Sequence, residues 1–275
     1  MRSALLAAGA LLAAAAHADQ KPLWEVGAGV GAFMLPDYRG SDQSRGYVLP
    51  VPYFVYRGQF LKSDRHGVRG QLFEGDRAEL NLSLGASLPV DSSRNDARLG
   101  MPSLRPSVEV GPSLDIRLWS SGEGADQNVL KLRLPVRTAF TLESPPRSIG
   151  WIASPNLDLD LSGRGAWAGW NFGMLAGPIF GDRRQHQYFY GVAPEFATPE
   201  RPAYEAPGGY AGMQFIASAS KRFASFWVGG YVRFDTLRGA SFEASPLLRS
   251  DTYFAAGAAI SWIFGASSET VEADE

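Results

Sequence analysis

Apolar residues recur at every second position in segment after segment of this chain, the spacing that places them on one face of a β-strand. The clearest run is 78–90, with Leu80, Leu82, Leu84, Ala86 and Leu88 on one face and Glu79, Asn81, Ser83, Gly85 and Ser87 on the other. Segment 107–119 sets Val108, Val110, Leu114, Ile116 and Leu118 against Glu109, Asp115 and Arg117. Segment 129–142 sets Leu130, Leu132, Leu134 and Val136 against Lys131, Arg133 and Arg137. Segment 151–162 sets Leu157, Leu159 and Leu161 against Asn156, Asp158 and Asp160. The last, 252–264, gathers Phe254, Ala256, Ala258, Ile260, Trp262 and Phe264 on one side. Further strands are expected at 23–33, 67–73, 209–222 and 225–237. One more at 47–56 is irregular, because Pro50 and Pro52 cannot donate to a ladder.

Segment 165–181 is uncharged, with Gly165, Gly169, Gly173, Gly177 and Gly181 every fourth residue. That spacing suits a glycine-lined membrane helix. It equally suits a strand with all five glycines on one face and Trp170, Phe172, Met174 and Phe180 on the other. The amphipathic strands around it favour the strand throughout, with the helix as the alternative. Segment 182–209, rich in Pro, Tyr and charge, reads as the longest loop. The count is eleven clear segments and a weak one.

The first residues say where such strands would be used. Arg2, the apolar stretch 4–16 and the small residues Ala16 and Ala18 form a secretory signal over 1–18. Export together with strands apolar on one face and aromatic at their ends predicts an all-β fold, a closed antiparallel transmembrane β-barrel of about 12 strands, with 10 as the alternative. The barrel is expected over 19–264 as one domain, followed by an acidic tail at 265–275 holding Glu269, Glu272, Asp274 and Glu275. Trp24, Trp119, Trp151 and Trp262 fall near segment ends, where interfacial girdles sit. Composition agrees: 31 Gly, 7 Trp, 10 Tyr and 16 Phe suit many strands and tight turns. With no cysteine, disulfides and thiolate chemistry are excluded. A net charge of −2 provides no field for nucleic acid.

Inside a barrel, charges opposite the aliphatic faces share the lumen, so Arg133 and Arg137 are expected to pair with Asp158 and Asp160. Alternation alone does not separate this from a solvated sheet face. Asp37, Tyr38, Ser41 and Asp42 in the first loop are the candidate contact residues, read either as a binding loop or as turn chemistry. His66 and His186 are the histidines beyond the signal; neither has a nucleophile context or metal-ligand spacing. Gly27, Gly29 and Gly31 lack the helix of a dinucleotide site and are expected to leave room in a crowded lumen. No catalytic residue, cofactor or metal is expected.

Three stretches, WEVGAGVGAFMLPDYRGSD, YFYGVAPEFATPERPAYEAPGGY and FEASPLLRSDTYFAAGAAISWIF, resemble the MipA/OmpV family of Gram-negative outer-membrane proteins, also described as MltA-interacting proteins. The most specific parts are Gly27, Gly29, Gly31, Pro36, Asp37, Tyr38, Gly40, Ser41 and Asp42, then Ser245, Pro246 and Leu247. The resemblance implies a non-enzymatic outer-membrane barrel in contact with outer-membrane lipid. It also implies a scaffold linking a lytic transglycosylase to a penicillin-binding protein in peptidoglycan growth. A narrow channel or small-solute porin is the second reading, and a lipid-active barrel enzyme the third. Members of the family often end on the aromatic of the last strand, whereas here GASSETVEADE follows Phe264.

Overall fold

The alternating segments become one antiparallel sheet in the computed structural model, which describes residues 20–57, 61–64, 67–75, 77–122 and 126–272. The strands are β1 (Gln20–Pro22), β2 (Trp24–Pro36), β3 (Ser44–Arg57), β4 (Leu61–Asp64), β5 (Gly67–Glu74), β6 (Ala78–Ser87), β7 (Ser107–Ser121) and β8 (Asn128–Thr141). They continue as β9 (Ser148–Ala153), β10 (Asn156–Ser162), β11 (Trp170–Gly181), β12 (Gly209–Arg222), β13 (Phe226–Thr236), β14 (Thr252–Ala266) and β15 (Thr270–Glu272). One α-helix, α1 (Arg183–Tyr190), follows β11.

Thirteen strands, β2 to β14, share the sheet, and β14 pairs with β2. β9 and β10 each pair with both β8 and β11. They occupy one lane between those neighbours, broken at Ser154 and Pro155, where proline removes a ladder donor.

The polarity of this sheet is inverted relative to a soluble protein. Val30, Leu84, Leu114, Val136, Leu157, Met174, Phe215, Val232 and Phe254 are exposed, whereas Glu25, Asn81, Ser113, Asp115, Asn156, Asp158, Gln214, Asp235 and Ser261 are buried. Period-two alternation assigns each set to one face, so the apolar face is outside. Trp24, Trp119, Trp151 and Trp262 are likewise exposed at strand ends.

Four expectations need correction. Segment 165–181 is not strand throughout: Gly165–Trp167 forms a 3-10 turn, and Gly165 and Gly169 take φ of +60° and +77°. Positive φ is a turn conformation that glycine adopts without steric cost; the strand starts at Trp170, and no helix among the described residues is long and apolar enough to cross a membrane. The loop at 182–209 holds α1, started by Asp182, whose Oδ1 accepts the Gln185 amide at 2.7 Å. β3 stays in register with β2 from Ser44 to Tyr56 despite its prolines. On its other side only Tyr56 and Arg57 are in register with β4, so Pro50 and Pro52 lie where that edge carries no ladder. Finally, Gly29 answers a close approach of chains rather than a crowded lumen, since a Cβ there would lie 1.9 Å from the Ile260 carbonyl oxygen on β14. The tail also carries structure: β14 runs through Ala266, and β15 pairs with β1. Residues 1–18, where a secretory signal is expected, and His66 lie outside the described residues.

Candidate functional site: a buried polar face under a lid

The connections are strongly unequal at the two ends of the sheet. Residues 37–43, 88–106, 142–147, 182–208 and 237–251 emerge at one end, while 163–169 and 223–225 turn at the other. The long connections converge and form the main hydrophobic cluster: Tyr38, Val90, Leu104, Tyr190, Leu237 and Phe242 pack together, with Ile179 and Ala211 from the strands below. Tyr190 stacks on Phe242 and meets Tyr38 edge-on. The apolar core of this protein is thus a lid over one mouth of the sheet.

Polar contacts tie the lid loops together over long sequence separations. Tyr38 donates to the Leu247 carbonyl at 2.7 Å, and the amides of Arg249 and Ser250 donate to the Gly40 carbonyl. The PDYRGSD and SPL stretches, far apart in sequence, are therefore two halves of one contact. Ser245 Oγ donates to the Tyr190 carbonyl and Tyr190 to the Arg39 carbonyl. Burial pushes the Tyr190 phenol up to about 12, so it stays a donor at neutral pH. Buried Arg98 reaches the Phe189 carbonyl and Ser92 Oγ and lies over the Tyr38 ring. Desolvation lowers its pKa, but a guanidinium stays charged.

The first-loop candidates are all in this lid. Asp37 accepts from Arg45 Nε at 2.7 Å and from Asn95 Nδ2 at 2.8 Å. Ser41 Oγ accepts the Gln43 amide at 3.1 Å, a turn bond, and also Asn95 Nδ2 at 3.2 Å. Asp42 is the exposed member, 4.0 Å from Arg249 Nε. Three of the four therefore bond to neighbouring loops or to their own turn.

On the buried polar face of the sheet, Arg133 lies 3.0 Å from Asp158 and 3.3 Å from Asp115. Arg137 departs from expectation: it reaches Glu109 at 2.9 Å and Ser83 Oγ at 3.1 Å, not Asp158 or Asp160. Register explains this. Arg137 stands opposite Ile152, and Asp158 opposite Lys131, six residues further along β8. At about 3.3 Å per residue that separation is about 20 Å, beyond any side chain. Glu109 stands opposite Ala139 and so lies on the diagonal from Arg137. Asp160, opposite Val129, lines a deeper cavity with Asp158. Glu79 adds a second layer, 3.7 Å from Arg117 and 3.8 Å from Lys131. Near the opposite mouth buried Glu25 pairs with Arg222.

A further cluster joins lid and sheet. Fully buried Asp235 is held by Arg233 at 2.7 Å and by Arg39, from the first loop, at 2.7 Å. Nothing in the alternation marks it, since Asp235 and Arg39 are 196 residues apart. His186 on α1 is also buried; its Nδ1 lies 2.7 Å from the Pro207 carbonyl, which can only accept, so Nδ1 carries the proton. Burial pushes the imidazole pKa down, with the Pro207 bond opposing it. No group of metal-ligating side chains occurs among the described residues.

Comparison with known proteins places this arrangement. The model of the family described as MltA-interacting protein MipA matches residues 28–264. Outer membrane protein OmpV of Vibrio cholerae is 24% identical over 246 residues, covering 86% of this chain and 85% of that protein. Outer membrane protein Omp26La of Vibrio anguillarum is 24% identical over 243 residues, with the same coverage. Among solved structures, a bacterial polysaccharide outer membrane secretin aligns at a TM-score of 0.40 and 9% identity, over 90% of this chain and 100% of that one. A porin aligns at a TM-score of 0.29 and 10% identity, over 88% and 100%.

Proposed function

The chain belongs to the MltA-interacting protein (MipA) family and is an outer-membrane protein, and from that premise we propose that it is a closed, lidded, non-enzymatic barrel that acts as an envelope scaffold. Counting β9 and β10 as one broken strand, the sheet β2 to β14 makes twelve lanes, an even number as bacterial barrels favour. The double pairing of β8 and β11 with that lane supports closure. Outward aliphatic residues would meet outer-membrane lipid, and inward ions would be enclosed. Long loops conventionally face outward and short turns the periplasm, which places the lid outside and the β1–β15 pair at the periplasmic mouth. In this reading residues 1–18 direct export and 265–275 form a periplasmic extension.

The observation that carries the scaffold over the porin is the lid. A mouth filled by Tyr38, Tyr190, Leu237 and Phe242 does not pass solutes freely. The family description names an interaction with MltA; the resemblance adds that this partner is a lytic transglycosylase, with a penicillin-binding protein as the synthetic counterpart. The test pairs two measurements on the full chain folded in detergent. Planar-bilayer recordings should show no steady conductance, and immobilised protein should retain the purified transglycosylase. Steady open-channel current would instead support the small-solute channel, and failure to retain the transglycosylase would remove the scaffold.

A further inference from the structure

Beneath the lid lies a chamber of about 500 Å³, bounded by α1 above and by strands from most of the sheet around it. That volume is within the range of about 300–1,000 Å³ typical of small-molecule sites. A second cavity of about 380 Å³ shares Ile216 and Tyr231 with it, so the chamber continues along the polar face, away from the lid.

Positive charge is in excess at one place on the chamber wall. Glu109 is paired with Arg137 and Asp37 with Arg45. Arg39 and Arg233, which also line the chamber, share the single carboxylate of Asp235. Buried Arg98, over the Tyr38 ring, bonds to two carbonyls and the Ser92 hydroxyl, so the lid adds positive charge and does not cancel it.

The same place holds donors with unused bonding capacity. Arg39 donates through Nε to Asp235 and through Nη2 to the Ala211 carbonyl. Arg233 donates through Nε and Nη2 to Asp235. A guanidinium has five donors, yet the Nη1 of each has no hydrogen-bond partner among the described residues. The two side chains are 20% and 25% exposed, and neither Nη1 is sealed from solvent. Tyr231 and Tyr253 lie close enough to Arg233 to feel its charge, and its guanidinium sits 5.3 Å from the centre of the Tyr253 ring. Both phenol hydroxyls are open to solvent and have no hydrogen-bond partner among the described residues. The unpartnered acceptors Gln185 Oε1 and His186 Nε2 are sealed in the lid and present nothing to the chamber. Four open donors therefore gather at the Arg233–Asp235 pair. Hydrogen bonds to an ionised acceptor are about twice as strong as neutral ones, so these donors select an anion. An inorganic anion would leave most of the chamber unfilled. Ile152, Ile179, Ile216 and the two tyrosine rings supply walls that suit an apolar body.

We propose that this chamber binds a small monocarboxylate with an apolar, ring-sized body. Its carboxylate accepts from Arg39, Arg233, Tyr231 and Tyr253, and its body lies against the isoleucines. This goes beyond the scaffold reading and stands or falls separately from any protein partner.

The experiment uses the full chain folded in detergent micelles, in a buffer free of carboxylates, and three matched probes by titration calorimetry. Benzoate carries both features, benzamide keeps the shape without the charge, and acetate keeps the charge without the body. Charge-assisted bonds are worth about tenfold or more in affinity, so benzoate is expected to bind at least that much more tightly than either of the others. Arg39→Met leaves Arg233 alone on Asp235, which balances the charges, and is expected to weaken benzoate by about tenfold or more with benzamide unchanged. Tyr253→Phe keeps the ring, removes one donor and is expected to weaken benzoate several-fold. An unchanged β-type circular dichroism spectrum shows that each variant is folded; should Arg39→Met fail to fold, Tyr253→Phe decides. No binding of benzoate, benzamide or acetate binding as tightly as benzoate, or wild-type affinity in either folded variant overturns the proposal.

Discussion

Replacing Arg133 with methionine tests whether the charges on the polar face of the sheet are a structural layer or a solvated face. Arg133 lies 3.0 Å from Asp158 and 3.3 Å from Asp115, and its side chain and that of Asp115 are 18% and 2% exposed. Each pair is attractive by about 4 kcal/mol when charges about 4 Å apart experience an effective dielectric of about 20. Methionine keeps the stem and removes the charge, leaving two carboxylates near each other with little water. Asp115 would retain Asn81 Nδ2 at 3.1 Å and Ser113 Oγ, which offsets part of the loss. The expected loss is about 3–5 kcal/mol, the range for breaking a buried pair. Arg133→Met combined with Asp115→Asn and Asp158→Asn removes the charges together and should regain most of the loss. Urea-dependent folding into lipid vesicles, followed by gel mobility, measures all of this. A loss below about 1 kcal/mol, or a triple variant no better than the single one, would refute the reasoning.

Leu84→Arg places a charge on the outer face and should cost about 2–4 kcal/mol if that position lies at the bilayer midplane, whereas Ser83→Asn keeps an acceptor for Arg137 and should cost far less; equal costs in the same folding assay mean the faces are assigned backwards. His186 resists protonation because burial dominates, with Arg39 acting in the same direction and Pro207 and Asp182 against it. The unfolded chain then binds the proton first, so lid stability is intact above pH 6.5 and falls as pH drops below it. Amide exchange of α1, corrected for intrinsic rate, should be faster at pH 5 than at pH 7.5, and His186→Phe should remove the difference; unchanged protection in the wild type contradicts this. Amides of β3 between Ser44 and Val55 that point away from β2 should exchange faster than those of β13, which is paired on both sides; equal protection would mean that this edge of β3 is covered.

The alternation of Leu80 to Leu88, or of Phe254 to Phe264, fixes which residues share a face because side-chain direction in a strand is a local property. Strand identity, the division into apolar and polar faces and the tryptophans near strand ends were therefore legible residue by residue. The interruption at Gly165–Trp167 was less legible, because glycines every fourth residue suit a strand face and a turn equally well. Which face is outside is not local; it depends on the whole sheet curving around its ions, and only the burial of Asp115, Asp158 and Asp235 against the exposure of Leu84 and Phe254 decides it. Partner choice on the polar face is set by register. Arg133 and Arg137 look equivalent in sequence, yet the ladder brings Asp158 to the first and Glu109 to the second. The lid was least readable of all. Tyr38 and Leu247, or Arg39 and Asp235, meet across about two hundred residues because the strands bring their loops to the same mouth, and no periodicity within a segment records that meeting.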